Sequence, residues 1–288
     1  MKGTNITELK TPLLTISSVY ASLTKSEKKV ADIVFSEPEA TAFCTVTDLA
    51  EKADVAEASV IRFCRKLGFR GYQEFKLSMV QGLSSPTKLA YGEIEDSDTL
   101  EVIASKLTMQ NTQVIENTTS LLNVNSLQKA IDAMLEASKI FFFGVGSSGI
   151  TAQDIKYRLM RLGFNVDSAA DAHIIAMNTA LARKGDVVVG ISSSGSTKDL
   201  VDAIKLAKSN GAFVICITNH ARSPITKFAD VVLLGTSSET PLQGGAFSSK
   251  LAQMHLLDIL STSLALRQKE KTYMALEKTA KSVVDKPY

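Results

Sequence analysis

Cysteine, histidine, net charge and long apolar runs are all scarce in this sequence, and each scarcity argues against a class of protein. The 288 residues include three cysteines, Cys44, Cys64 and Cys216. They are odd in number, far apart and form no Cys-x-x-Cys pair, which argues against a disulfide framework and a thiolate zinc site. The three histidines, His173, His220 and His255, lack His-x-x-x-His spacing. No metal site and no cofactor is expected. Lys and Arg number 32 against 30 Asp and Glu, for a formal net charge of +2. That rules out a globally basic coat and leaves room only for a local basic patch. No apolar run approaches the roughly 18 residues needed to span a bilayer. The opening MKGTNITELK has no apolar signal-peptide core, so a cytoplasmic chain is expected. A hydrophobic fraction of 45% and a charged fraction of 22% fit a packed protein and not a disordered one. At roughly 100–200 residues per domain, the length predicts two domains.

The first 83 residues read as all helix. Thr24-Lys-Ser-Glu27 has the spacing of a capping box. Val30, Ile33 and Val34 follow at helical spacing, and Pro38 should stop that helix. A second helix is expected from Thr47, with Leu49, Ala50 and Ala53 as its apolar stripe. After a break at Asp54-Val55-Ala56, a third is expected from about Glu57 to Leu67, closed by Gly68 as a left-handed C-cap. A fourth should span about Tyr72 to Gln81. Residues 84–99, rich in Pro, Gly, Ser and acid, read as an interdomain linker. Helical pattern returns from Leu100 to about Ala137.

The second domain is expected over 100–288, with a core at about 128–268. Ile140–Phe143, Asp186–Ile191, Ala212–Thr218 and Asp230–Leu234 are short continuous apolar runs, the pattern of strands buried on both faces. Asn165–Ser168 is a weaker fifth. Helical stretches at about 149–162, 172–182 and 198–209 separate them, and 248–267 reads as a long closing helix. Strand and helix in alternation predict a parallel α/β sheet.

Two loops in this region carry chemistry. Gly144-Val-Gly-Ser-Ser-Gly149 lies between a buried strand and a helix and fits Gly-x-Gly-x-x-Gly. Asp167 lies 23 residues past Gly144, near where a ribose-binding acid would sit, so a dinucleotide-binding oxidoreductase is one reading. Ser192-Ser-Ser-Gly-Ser-Thr197 has the same placement, with five hydroxyls in six residues. Hydroxyls and open amides suit a phosphate monoester, because they reach several terminal oxygens without a cation. A dinucleotide would not require this second loop. In a parallel sheet both loops lie at strand C-termini, where ligands bind. Two ordinary turns with serine N-caps would also account for the pattern. An aldose–ketose phosphate isomerase is a further alternative; it needs a general base, and Glu239 or His255 would have to serve.

The segment Glu57–Leu67 is the third feature. Val60, Ile61, Cys64 and Leu67 are expected on a core face, with Ser59, Arg62, Arg65 and Lys66 on another. Between residues 62 and 76 there are five basic residues, Arg62, Arg65, Lys66, Arg70 and Lys76, against one acid, Glu74. A short helix, a tight break and a helix with an exposed basic face form the helix-turn-helix pattern. On this reading Arg62 and Arg65 enter a major groove, Ser59 reaches a base edge or a phosphate, and Lys66 and Arg70 hold the backbone. A solvated basic face on a helical bundle explains the same residues equally well. Asp171 reads as an N-cap, and Cys64 and Cys216 as packing.

Taken together, these segments resemble a known family. Leu23–Asp32 and Ala58–Tyr72 resemble the helix-turn-helix of the RpiR-type bacterial transcription regulators. Phe143–Gly149, Gly185–Thr197, Gly211–Thr218, Glu239-Thr-Pro-Leu and Ala246–Gln253 resemble the SIS (sugar isomerase) domain that follows it in the same family, a flavodoxin-like parallel sheet. The resemblance runs from about residue 10 to 268. It implies a regulator of carbohydrate metabolism, with no catalytic residues, that binds double-stranded operator DNA and a hexose or amino-sugar phosphate. It places the effector phosphate on Ser147, Ser148, Ser192, Ser194 and Thr197, and the sugar on Glu239. Ser193 and Ser196 fall at more variable positions. A homo-oligomer, dimer or tetramer, is expected, since one short recognition helix gives little specificity and paired half-sites supply the rest.

Overall fold

The computed structural model describes residues 12–83, 94–236 and 247–284. The chain divides into two compact units, residues 1–112 and 113–288. Most of the expected linker, residues 84–93, lies outside the described residues, as does Glu239.

The first unit is helical. It contains α1 (Pro12–Val19), a 3-10 turn at Tyr20–Ser22, α2 (Lys25–Ser36), α3 (Pro38–Phe43), α4 (Val46–Lys52), α5 (Glu57–Lys66) and α6 (Tyr72–Leu83). The helix α7 (Leu100–Ser120) begins here and runs on through the division at residue 112. The capping box forms as expected. The Glu27 N–H donates to the Thr24 hydroxyl, and the Glu27 carboxylate accepts the Thr24 N–H at 2.8 Å. Pro38 stops α2 but also opens α3, because its missing N–H is no loss in a first turn. A second capping box, Thr45 with Asp48, starts α4 two residues ahead of the expected Thr47. The hydroxyl of Thr47 instead donates to Glu57. The turn between α4 and α5 places Asp54 in the left-handed region at φ 50°, a conformation that short polar side chains tolerate. Gly68, at φ 90°, closes α5 as expected, with the N–H groups of Gly68 and Phe69 donating to the carbonyls of Arg65 and Cys64. Ile16, Val30, Val34, Leu49, Val60, Phe63 and Phe75 form a fully buried core. The Phe75 ring meets those of Phe63 and Phe69 edge-on, at 6.0 and 5.6 Å between centroids.

The second unit is a three-layer α/β domain. After α8 (Val124–Glu136) come β1 (Ile140–Gly144), α9 (Ser147–Arg161), β2 (Val166–Ala169), α10 (Ala172–Leu181), β3 (Val187–Ile191), α11 (Lys198–Ser209) and β4 (Phe213–Thr218). A 3-10 turn at Ile225–Phe228, β5 (Val231–Leu234), α12 (Phe247–Arg267) and α13 (Lys269–Lys281) complete it. All five expected strands form within a residue of their predicted ends. The sheet order is β2-β1-β3-β4-β5, parallel throughout. Alternate residues of β1 and β3 face opposite layers. Phe142, Val187, Val189 and Ile191 pack on the side of α8, α9 and α12, whereas Phe141, Phe143 and Val188 pack with α10 and α11. That is why these strands read as unbroken apolar runs. The helical pattern expected from Leu100 to about Ala137 resolves into two helices, because the Asn123 side chain accepts the Ser126 N–H and caps α8.

The order 2-1-3-4-5 reverses direction between β1 and β3, and a parallel sheet opens its ligand crevice at such a switch point. The register pairs Gly144 with Ile191, so the loops after these two strands leave the sheet edge side by side. The first loop needs its glycines for packing. A Cβ on Gly144 would lie 2.5 Å from the Ser148 carbonyl oxygen, and one on Gly149 would lie 2.6 Å from the Ala170 Cβ. Both atoms that would be struck are fixed by the backbone. Gly144→Ala should therefore cost about 1–3 kcal/mol and lower the melting temperature of the protein by several degrees. An unchanged melting curve would show that the strand-to-helix junction is looser than described.

Candidate functional site

The β1–α9 and β3–α11 loops meet through one buried side chain. Gln253 on α12 is 1% exposed. Its Nε2 donates to the Ser148 hydroxyl at 3.2 Å and to the Ser193 hydroxyl at 2.9 Å, and its Oε1 accepts from the Thr151 hydroxyl at 3.1 Å. Ser148 lies in the first turn of α9 and Ser193 in the second loop, so the two loops that the sequence singles out are joined in space.

The second loop is held from behind. The Ser193 carbonyl accepts from the Asn219 N–H at 3.0 Å and the Thr218 hydroxyl at 3.2 Å, and the Gly195 carbonyl accepts from the Ile225 N–H at 3.0 Å. These bonds turn the carbonyls toward β4 and the segment after it. Among the described residues, no protein acceptor takes the N–H of Ser194 or Thr197. Thr197 is the N-cap of α11, and its side chain makes no capping bond. Two helices thus begin at this edge, α9 at Ser147 and α11 at Lys198, each with the partial positive charge of its open amides.

The five expected phosphate residues are not equivalent. Ser147 and Thr197 are half-buried, and Ser194 is exposed. The Ser194 hydroxyl accepts the Ser196 N–H at 3.2 Å. Ser192 is buried; its hydroxyl accepts the Gly195 N–H at 3.1 Å and lies 3.3 Å from the Thr197 hydroxyl. Its clearest role is to shape the turn. Ser148, also buried, is the hydroxyl tied to Gln253.

Asp167 is already committed. Its carboxylate lies 2.8 Å from Lys156 and 3.5 Å from Lys139 and accepts the Ser168 N–H. Burial pushes the carboxyl up, but these bonds and the two ammonium groups outweigh it and hold the group below its ordinary value. This acid is paired and not open to a ribose. His255 bonds the Thr119 hydroxyl through Nε2 at 2.9 Å. Asp171 caps α10 by accepting the His173 and Ile174 N–H groups, as expected. Cys64 and Cys216 are fully buried, and burial pushes both thiols up to about 12, which leaves them as packing groups.

In the first unit, α4, the turn at Ala53–Ala56 and α5 form the helix-turn-helix. The core face of α5 is Val60, Phe63 and Cys64 with Ser59. Ile61, expected there, is half-buried. Two expected DNA contacts change character. Ser59 is buried, and its hydroxyl accepts from the Arg62 guanidinium at 2.8 Å, so it aims Arg62 and does not face outward. Lys66 turns inward; its ammonium lies 2.7 Å from the Glu27 carboxylate and 2.9 Å from the Ser22 carbonyl. Both charged side chains are largely covered, at 15% and 11% exposure, so Lys66 ties α5 to α2 and leaves Arg62 and Arg65 as the exposed cations of α5, with Arg70 exposed in the turn that follows. Lys76 donates to the Cys44 carbonyl at 2.8 Å.

Residues 11–86 match the helix-turn-helix domain of the rpiR family, and residues 133–263 match the SIS domain. An HTH-type transcriptional regulator of Haemophilus influenzae is 38% identical over 274 residues, covering 94% of this chain and 95% of its own. The chain belongs to the RpiR-type helix-turn-helix transcription regulators. A second such regulator, YbbH of Bacillus subtilis, is 32% identical over 94% of this chain and 96% of its own. Among solved structures, the Vibrio vulnificus NanR protein complexed with ManNAc-6P is 30% identical, with a TM-score of 0.62 over 95% of this chain and 98% of that one.

Sequence reasoning about this RpiR-type regulator passes over Gln253 and gives Ser193 no role. A signal for Gln253 existed: it is an amide one turn before Leu256 and Leu257 on the apolar side of α12. The inward turn of Lys66 had none, since its partner lies 39 residues away on another helix.

Glu27 anchors the first unit twice, through the capping box and through Lys66. Burial raises its carboxyl, yet the Lys66 ammonium and the Thr24 groups outweigh that and hold it below the ordinary 4.5. Its stabilisation is present above the unfolded value and is lost as pH falls through the lower folded one. Glu27→Gln should cost about 1–3 kcal/mol near neutral pH, and the gap to wild type should close below about pH 4. Urea unfolding of both proteins across pH 3–7 measures this; a gap that does not change with pH contradicts it.

Proposed function

We propose that this RpiR-type regulator binds operator DNA through α4 and α5 and is controlled by a phosphorylated sugar held between the β1–α9 and β3–α11 loops. One observation carries the effector half. Two hydroxyl-rich loops, each opening a helix, lie side by side at the switch point of a parallel sheet, with Ser148 and Ser193 joined by Gln253. Amides and hydroxyls converging there suit the terminal oxygens of a monoester. The likeness to the NanR protein complexed with ManNAc-6P favours an amino-sugar phosphate among hexose phosphates. In this reading the phosphate meets Ser147, Ser148, Ser194 and Thr197, Ser192 shapes the turn, and Glu239 faces the sugar.

The DNA half rests on Arg62 and Arg65. They stand one turn apart on the exposed side of α5, and Ser59 steers Arg62. Arg70 contacts the backbone. We read the protein as a cytoplasmic homo-oligomer that pairs two half-sites, and its SIS domain as a sensor and not an isomerase, since its relatives are named as regulators. No helix among the described residues is long and apolar enough to cross a membrane.

Two experiments test the halves separately. In a thermal-shift panel of hexose and amino-sugar phosphates, the effector at 100 times its Kd should stabilise the protein by about 2.7 kcal/mol. The unphosphorylated sugar should do nothing, and a Ser147/Thr197 double alanine variant should lose the response while keeping its fold. A panel without any response removes the effector reading. On promoter DNA next to the protein's own gene, Arg62→Ala should cost roughly 1–3 kcal/mol and relax sequence preference. Lys66→Ala, by contrast, should lower stability without changing the salt slope of binding. A flattened slope for Lys66→Ala would return that residue to the phosphate-contacting set.

A further inference from the structure

Gln253 does more than join two loops, because its amide dictates which way two hydroxyls can donate. A glutamine amide has two N–H donors and one carbonyl acceptor, and a serine hydroxyl has one donor and two acceptor positions. Both donors of Gln253 are spent, one on the Ser148 oxygen and one on the Ser193 oxygen, while its carbonyl takes the Thr151 proton. Each serine therefore receives a hydrogen bond from behind, and its own proton must point elsewhere. Among the described residues neither proton has a protein acceptor. The two loops thus carry two hydroxyl oxygens held by a single 1%-exposed side chain, each with a proton that no described protein group accepts.

We propose that Gln253 is a positioning residue that primes Ser148 and Ser193 as paired donors to the phosphate of the effector, which makes Ser193 a ligand-contacting residue. The proposal rests on the phosphate-binding reading of these loops. It also gives a physical reason for a buried amide on α12. A leucine there would fill the space but would leave both serine oxygens without the hydrogen bond that now holds them.

The test is calorimetric titration of the full-length protein with N-acetylmannosamine 6-phosphate, and with inorganic phosphate as the minimal probe. Ser193→Ala should weaken binding of both roughly tenfold, as for loss of one hydrogen bond to a charged group. Ser193→Thr, which keeps the hydroxyl, should restore most of the loss. Gln253→Met, of similar length and without donors, should weaken binding more than Ser193→Ala does. Gln253→Glu, which offers only acceptors when ionised, should weaken it most. In the Gln253→Met background, Ser193→Ala should cost less than about threefold, because its proton is no longer aimed. A merely structural Gln253 would lower the melting temperature of the unliganded protein and leave the two losses to multiply.

Wild-type-like binding by Ser193→Ala overturns the proposal even if no Gln253 variant folds, since Ser193 lies in a loop. Multiplying losses in the double variant overturn it as well. If wild type binds neither probe nor any other sugar phosphate, the phosphate-binding reading fails, and this proposal fails with it. Binding by wild type and Gln253→Met alike overturns only the role of Gln253.

Discussion

The effector domain depends on β1 and β3 lying next to each other in register. Because Gly144 sits beside Ile191, the chain leaves the sheet at the same height twice, once into α9 and once into α11. In the proposed site the two loops supply different parts. The first contributes an α9 start made tight by Gly144 and Gly149, and the second contributes amides freed because its carbonyls are bound from behind by Thr218, Asn219 and Ile225. The parallel order brings them together at no cost in strain. The buried amide of Gln253 then converts proximity into a fixed distance between two hydroxyls. Chemistry at this edge is thus a consequence of sheet order first and of serine content second.

The helical unit uses the same economy. Glu27 caps α2 and receives Lys66 from α5, so one carboxylate sets both the start of a helix and the seat of the next unit of structure. Removing Lys66 from the outer face makes that face sparser than its sequence suggests, and it falls to Arg62 and Arg65, with Arg70 in the turn beyond. An arginine steered by a buried serine is better suited to a base edge than a freely rotating one, because less freedom is lost on binding.

Much of this was legible in the residues, for reasons that differ by element. β1, β3 and β4 are plain because they are buried on both faces and so run almost unbroken in apolar residues, whereas β2, half-buried over most of its length, is the faintest. The two loops are plain because serine and glycine are conspicuous after such runs. The ends of α2 and α5 are marked by local chemistry, a capping box and Gly68. What was not legible is long-range or weakly patterned. Lys66 and Glu27 meet across helices, and Ser59 looks outward on a helical wheel until the core around Phe63 fixes the rotation of α5. Among its described residues α13 buries Thr272 alone, so it has no apolar stripe to betray it. Gln253 is hidden for the opposite reason, as a single polar residue in an apolar helix whose partners lie 60 and 105 residues away.

In the proposed function two ligands, an anion at the sheet edge and DNA on the face of α5, act on one protein through a shared equilibrium. Thermodynamic linkage makes that claim quantitative: whatever factor the effector imposes on DNA affinity, DNA must impose on effector affinity. The direct measurement is a closed cycle on wild-type protein. DNA binding is titrated with and without saturating N-acetylmannosamine 6-phosphate, or whichever sugar phosphate binds, and effector binding is titrated with and without operator DNA. The same factor is expected on both arms, between roughly 5 and 150. Tight binding of both ligands with a factor of one on both arms would contradict it, leaving a protein that binds a sugar phosphate and DNA without connecting them.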